Sequence, residues 1–444
     1  MQSLIIALFI LLCLVGCLKP MWALGMVVYI NSMEQLLQTA IPYWATLGIG
    51  GQLVNYIVGI VCLIAVTLSF FRTPNLWLGF LNAAFVMITL TILWSIISLV
   101  WSLDSPGGVA MMKSRWPYYF LSVVIGSMLI TDFNDLRKLV NALIVLGIGI
   151  SILILVNPQF TSQFGRLGII QGGLMTSNPL ALGELGGILF VSAAVFRVNN
   201  FGRLGIILRF TGLIVGATMA VQSGSRGQVI LCAIVAAIFF PVAAPIKSFR
   251  SFVITVIGLG MIIVIMPLFL STMLEGFAAS RFSTDSMLYG SSSFGERIAN
   301  LTILITAWAQ NPLAPLIGLG YFSFNAIGGG TTYSHIILAD LVFELGLPGL
   351  FVIFVLTVSV LRSSRSLFLL SKDNPLDRSA TATILGLALF LFLLANKQGD
   401  LWGSTTMYMF LVIICRVSIR SKEAALVNAS NTDEEEMEIQ YEQS

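Results

Sequence analysis

Charge is what this sequence has least of. Of its 444 residues, 10% are Asp, Glu, Lys or Arg against 57% hydrophobic ones, and a mean hydropathy of +0.95 excludes a soluble globule. The net charge of +3 comes without a long basic run or aromatic-basic interleaving, which excludes nucleic acid as a partner. Cysteine is sparse too. Cys13, Cys17, Cys62, Cys232 and Cys415 all fall inside apolar runs, where they act as small hydrophobes and not as a disulfide framework or metal cluster. A Walker A loop, a dinucleotide fingerprint and a Gly-x-Ser-x-Gly elbow are all missing, so ATP-driven transport and serine hydrolysis lack sequence support. No internal repeat of the transporter kind is evident. Histidine occurs once, at His335.

What is present is a series of long apolar runs, near 51–71, 77–101, 117–131, 135–156, 180–197, 204–221, 227–243, 249–270, 336–361, 379–396 and 402–415. Each is long enough, or nearly so, to cross ~30 Å of hydrocarbon. Gln2–Leu18 adds a first span, since no Lys or Arg precedes it and hydrophobic runs continue to the far end. The shorter Met21–Met33 forms either a hairpin with it or one kinked helix. The expectation is an all-α polytopic membrane protein of about 12–13 transmembrane helices with one large outer, periplasmic loop, 271–335. Residues 1–422 form the bundle and include that loop. Residues 423–444, with Asp433, Glu434, Glu435 and Glu436 unbalanced by Lys or Arg, read as a disordered acidic cytoplasmic tail.

Lys and Arg concentrate in cytoplasmic loops. One consistent topology puts most of them and the C-terminus inside, leaving Lys113, Arg115, Arg166, Arg226, Arg281, Arg297 and Lys397 on the outer face. An outer cation runs against that rule and needs another reason. Arg166 opens a Gly-rich, Asn-Pro-punctuated loop, and Arg226 sits in the tight polar turn SGSRGQ. A guanidinium there either grips a phosphate in bidentate fashion or snorkels to lipid headgroups, and Arg115 carries the same two readings.

The long loop is expected to be partly helical. Ser293 and Glu296 have capping-box spacing, Ile298, Leu301, Ile305 and Trp308 share a face, and Asn311-Pro312 ends the helix. Lying along the membrane surface, it would hold Arg297 over a cavity mouth. His335 follows, where a loop enters an apolar run, and is either a general base or an interfacial capping residue. Asp340 and Glu344 are four residues apart and share a helix face. They orient the histidine, pair with an arginine or contact an acceptor. Glu184 is either functional or a buried helix-end acid. With no paired histidines and no Asp-x-Asp, neither a metal nor another cofactor is expected.

SGSRGQ, then FGER with its amphipathic helix, then NPLAPLIGLGYFSF, then SHIILADLVFELGLPGL, taken in that order from about Gly165 to Leu350, together resemble the O-antigen ligase and O-antigen polymerase superfamily of bacterial glycan enzymes. The resemblance implies an inner-membrane glycosyltransferase whose outward cavity takes a glycan carried on undecaprenyl diphosphate. Its acceptor would be lipid A core for a ligase or another lipid-linked glycan for a polymerase. The histidine and arginines it implies as functional match His335, Arg226 and Arg297. One departure is that Ile336 follows the histidine where the family often has Asn. The competing reading is a transporter of a small anion or polysaccharide precursor, with Asp340, Glu344 and Glu184 along its path.

Overall fold

The computed structural model describes residues 1–41, 43, 50–73, 76–163, 166–171, 174–175, 177–197, 202–244, 292–328 and 334–442. The apolar runs form helices because nothing else satisfies the backbone in hydrocarbon. In order these are α1 (Gln2–Leu18), α2 (Pro20–Val28), α3 (Ile30–Ala40), α4 (Gly50–Arg72), α5 (Ala83–Ser98), α6 (Ser105–Tyr119), a π-helical stretch (Phe120–Gly126), α7 (Phe133–Val156), α8 (Pro179–Val195), α9 (Arg203–Gln222) and α10 (Arg226–Ala243). There follow α11 (Ser292–Gln310), the short α12 (Ala314–Ile317), α13 (Ser323–Ile327) and α14 (Ile337–Ala339), a second π stretch (Asp340–Glu344), α15 (Gly346–Ser371), α16 (Pro375–Gln398) and α17 (Thr405–Glu442). Six of them, α4, α7, α9, α10, α15 and α16, are long and apolar enough to cross a membrane, and α1, α5 and α8 are shorter apolar helices. The chain is therefore a multi-pass α-helical membrane protein.

Several expectations change. Among the described residues proline and π-helical turns divide some of the expected runs into pieces, leaving six full-length apolar helices and three shorter ones. The run at 249–270 and the loop residues 271–291 and 329–333 lie outside the described residues. The Gly-rich stretch after α7 forms a small antiparallel sheet, β1 (Phe160–Gln163), β2 (Arg166–Gln171) and β3 (Leu174–Met175), with Gln163 opposite Arg166. The acidic C-terminus, expected to be disordered, continues α17 to Glu442. Its Ala, Leu, Glu and Met content favours helix, and a helix already nucleated by a buried stretch extends at little cost.

Buried α7 and α16 form the centre, while α4 and α15 lie mostly exposed at the periphery. Where α8 meets α9, small residues allow backbone contact: a methyl at Gly186 would sit 2.5 Å from Ala220 N and one at Gly216 2.8 Å from Phe190 N.

One end of the bundle collects cations with structural partners. Arg137 at the start of α7 pairs with Asp377 at the start of α16 at 3.2 Å. Arg209 donates to the carbonyls of Ala193 and Ala194 at the end of α8, and Arg378 to Val242 O at the end of α10. The fully buried Arg416 donates to Ser127 O at 2.6 Å and to Leu76 O. These arginines satisfy helix-end and turn carbonyls that would otherwise be orphaned.

Candidate functional site

At the opposite end, a cap with its own small core sits on the bundle. Leu304 of α11, Ala314 of α12, Leu319, Phe324 of α13 and Ala339 of α14 are buried together, with Leu301, Ala307 and Trp308 packed on them. The Trp308 ring meets Phe343 edge-on at 5.7 Å. As expected, α11 ends at Asn311, whose side chain accepts from Leu313 N. Its inward stripe differs, however. Leu301, Leu304 and Trp308 face inward while Ile298 and Ile305 are exposed, so Arg297, one turn before Leu301, continues the packed stripe. The side chains of Ser293 and Glu296 lie outside the described residues.

The loop between α12 and α13 is held from two sides. Gly318 takes φ +82° and a methyl there would stand 2.0 Å from Glu344 O, so only glycine lets the backbones approach this closely. Beyond it, Leu319 N and Gly320 N donate to Phe343 O and Glu344 O, carbonyls that the π turn leaves available. On the other side, Trp101 Nε1 donates to Gly318 O, Ser102 Oγ to Tyr321 O, Leu103 N to Ser323 Oγ at 3.0 Å, and Tyr321 N to Ser98 Oγ. Glu344 completes the clamp, accepting from Phe322 N and Phe324 N at 3.0 Å each. Both of its oxygens are thereby committed to backbone. Glu344 thus fixes the loop through two backbone bonds.

Asp340, on the same π turn, is buried and accepts from Ser334 Oγ, and Ser334 Oγ also receives Ile336 N. His335 lies between those two residues with φ +67°, a left-handed conformation uncommon outside glycine. Asp340 therefore acts on the histidine-bearing turn through Ser334. That turn docks on the end of α16, where Leu338 N donates to Asn396 Oδ1.

The next residue of α16 is Lys397. Its Nζ donates to Ser225 Oγ at 2.6 Å, and its stem lies over Gly227, so it covers the first turn of α10 that carries Arg226. The charges acting on Lys397 are Arg297 and Arg166. Lys397 thus stands at the α10 turn that holds Arg226, within electrostatic reach of Arg166 from the sheet and Arg297 from the cap helix. In the sequence Lys397 stands out only as an outer cation, because nothing in its span reveals what it faces.

Arg115 stands apart from this group. It lines a polar cavity of ≈ 140 Å³ with Glu184, Asn178, Gln398, Asp400 and Ser404, over a floor that includes Leu391, Leu394 and Met407. The acids that act near it are Glu34 and, around Tyr321, Asp400, Glu344 and Asp340. Burial, with those three carboxylates close by, holds the Tyr321 phenol well above its ordinary pKa. Tyr321 Oη and Gln398 Oε1 are buried without a hydrogen-bond partner among the described residues. Asp400, absent from the sequence-based candidates, is fixed by Gly403 N donating to Oδ1 at 2.6 Å. Its only sequence signal is its place in KQGD, directly after a span. Among the described residues no group of three or more His, Cys, Asp or Glu could hold a metal ion.

One end of the bundle can thus bind an anion beside a histidine-bearing turn, and the adjoining cavity offers mixed acid, amide and hydroxyl groups to a polyol. Comparison of the sequence with family models and with curated proteins finds no match.

Proposed function

We propose that the protein is a membrane glycosyltransferase of the O-antigen ligase or polymerase type, acting on the outer face of a bacterial inner membrane. Its donor is a glycan carried on a polyprenyl diphosphate such as undecaprenyl diphosphate. Its acceptor is lipid A core or a second lipid-linked glycan. The observation that carries this reading is that Lys397, within electrostatic reach of Arg166 and Arg297, bonds to Ser225 beside Arg226 at the same end of α16 that the His335 turn meets.

The chemistry follows from those roles. His335 accepts the proton of an acceptor hydroxyl, whose oxygen bonds to the anomeric carbon as the bond from that carbon to the phosphate oxygen breaks. The electron pair leaves with the diphosphate, which the cations stabilise. Direct displacement inverts the anomeric centre. Arginine and lysine supply the charge, so transfer should continue in excess chelator. Against the transporter alternative, the Glu344 oxygens each accept from backbone and so serve the loop.

The test is His335→Ala in purified protein supplied with lipid-linked donor. Transfer should fall by ~10²–10⁴ while donor binding and yield hold. Transfer at close to the wild-type rate would defeat the assignment. Supplying core lipopolysaccharide or only lipid-linked repeat units as acceptor then separates ligase from polymerase.

A further inference from the structure

Helix α8 carries a single charge, Glu184, in the second turn of an otherwise apolar sequence. Its neighbours Gly183 and Leu185 are buried, and Glu184 lies deep among protein atoms. It nonetheless keeps accessible surface, because it opens on the polar cavity at this end of the bundle. Among the described residues no donor or cation acts on its carboxylate. An unpaired acid at such depth costs stability, so its presence points to a ligand. The cavity walls are fixed without it. The carbonyls of Asn178, Leu180 and Ala181 each accept from a side chain of another helix, Gln35 Nε2 at 3.2 Å, Gln228 Nε2 at 3.0 Å and Ser32 Oγ at 3.2 Å. On the facing wall Gly403 N donates to Asp400 Oδ1, and Ser404 Oγ to Asp400 O at 2.8 Å. Glu184 holds none of these elements together, which leaves its oxygens to whatever enters.

The lining decides the class of that ligand. Two carboxylates, Glu184 and Asp400, oppose an anion, and Arg115 opposes a cation. The amides of Asn178 and Gln398 both donate and accept, and the floor at Leu391 and Met407 is apolar. An uncharged sugar ring presents the matching surfaces, hydroxyls around its edge and C–H groups on its face. A cavity of ≈ 140 Å³ has space for on the order of ten waters, which one ring would displace. We propose that this cavity is a binding subsite for one uncharged sugar ring of the glycan substrates, with Glu184 accepting hydrogen bonds from its hydroxyls. That the ring belongs to a transferred glycan rests on the proposed glycosyltransferase reading. Gln398 lines the cavity two residues beyond Asn396, which holds the His335 turn through Leu338 N, so the ring sits at the same end of α16 as the histidine.

The test uses the full-length protein in zwitterionic nanodiscs and reads binding by saturation-transfer NMR and melting temperature by thermal shift. The probes are the methyl glycosides of glucose, galactose, mannose and N-acetylglucosamine, with methyl glucuronide as the anionic counterpart. Wild type is compared with Glu184→Gln and Glu184→Ala. At least one uncharged glycoside should bind the wild type and the glucuronide should not. Glu184→Gln should weaken that binding about tenfold, since a neutral acceptor replaces a charged one, and Glu184→Ala at least as much. Without sugar, Glu184→Gln should melt at or above the wild-type temperature, because it removes an unpaired buried charge. Variants that melt lower and bind glycosides as wild type does would overturn the proposal and make Glu184 a structural residue. Stabilisation by sodium chloride over potassium chloride, with no glycoside bound, would overturn it as well and make this a cation site. In transfer assays Glu184→Gln should raise the KM of one substrate, the acceptor or the lipid-linked donor, and the one affected is the source of the ring. Glycoside binding that depends on Glu184 in a protein with no glycan transfer would uphold the subsite and defeat the transferase reading. Transfer with both KM values and glycoside binding unaltered in Glu184→Gln would do the reverse.

Discussion

Replacing Glu344 tests whether the loop beneath the site is held by one buried carboxylate. Its oxygens accept from Phe322 N and Phe324 N at 3.0 Å each, and Phe322 is itself in the left-handed region at φ +67°. A hydrogen bond to a charged group contributes about 1.5–3 kcal/mol, so two of them give roughly 3–6 kcal/mol against local opening. Glu344→Ala also relieves the cost of burying a carboxylate, which puts the net loss near the lower bound, about 3 kcal/mol, or roughly 10²-fold in the opening equilibrium. Glu344→Gln keeps one acceptor oxygen and should lose on the order of tenfold. Hydrogen exchange read by mass spectrometry over residues 318–327, in nanodiscs, measures this opening directly. Amides in the bundle, such as those of α7, serve as the internal reference. Exchange within about threefold of wild type in both variants would refute the reasoning and show that the contacts from Ser98, Trp101 and Ser102 hold the loop unaided.

Other outcomes follow from the same geometry. Gly318→Ala should fail to accumulate as a monodisperse species on size-exclusion chromatography, since its methyl would meet Glu344 O at 2.0 Å in a φ +82° turn. Wild-type yield would count against the close approach. Arg416→Met should destabilise by roughly 2–6 kcal/mol through the carbonyls of Ser127 and Leu76 that it leaves unpartnered, read as faster thermal inactivation in detergent. An unchanged inactivation rate would show that these carbonyls find other donors.

The sequence by itself determined the class of molecule, because 57% hydrophobic residues in long runs allow only helices that pack in a membrane. It also marked His335 and the outer arginines, since a scarce charge on the unexpected side stands out without any coordinates. The end of α11 was legible because Asn311-Pro312 is a local signal. Helix count was less so, as hydropathy does not register the breaks at the π stretches. Nor could local pattern separate Asp340 from Glu344. Four residues apart on one face, they differ only in what folds against them, a serine hydroxyl beside His335 for one and two loop amides for the other. Lys397 and Asp400 were hidden for the same reason. Each stands at the end of a span where a charge is ordinary, and only the packing of α10 against α16 and the nearness of Arg166 and Arg297 decide that the lysine meets other cations, as the fold decides that the aspartate lines a cavity. Charge composition is a property of the chain, whereas convergence of charge depends on contacts between residues distant in sequence, and those exist only once the helices are packed.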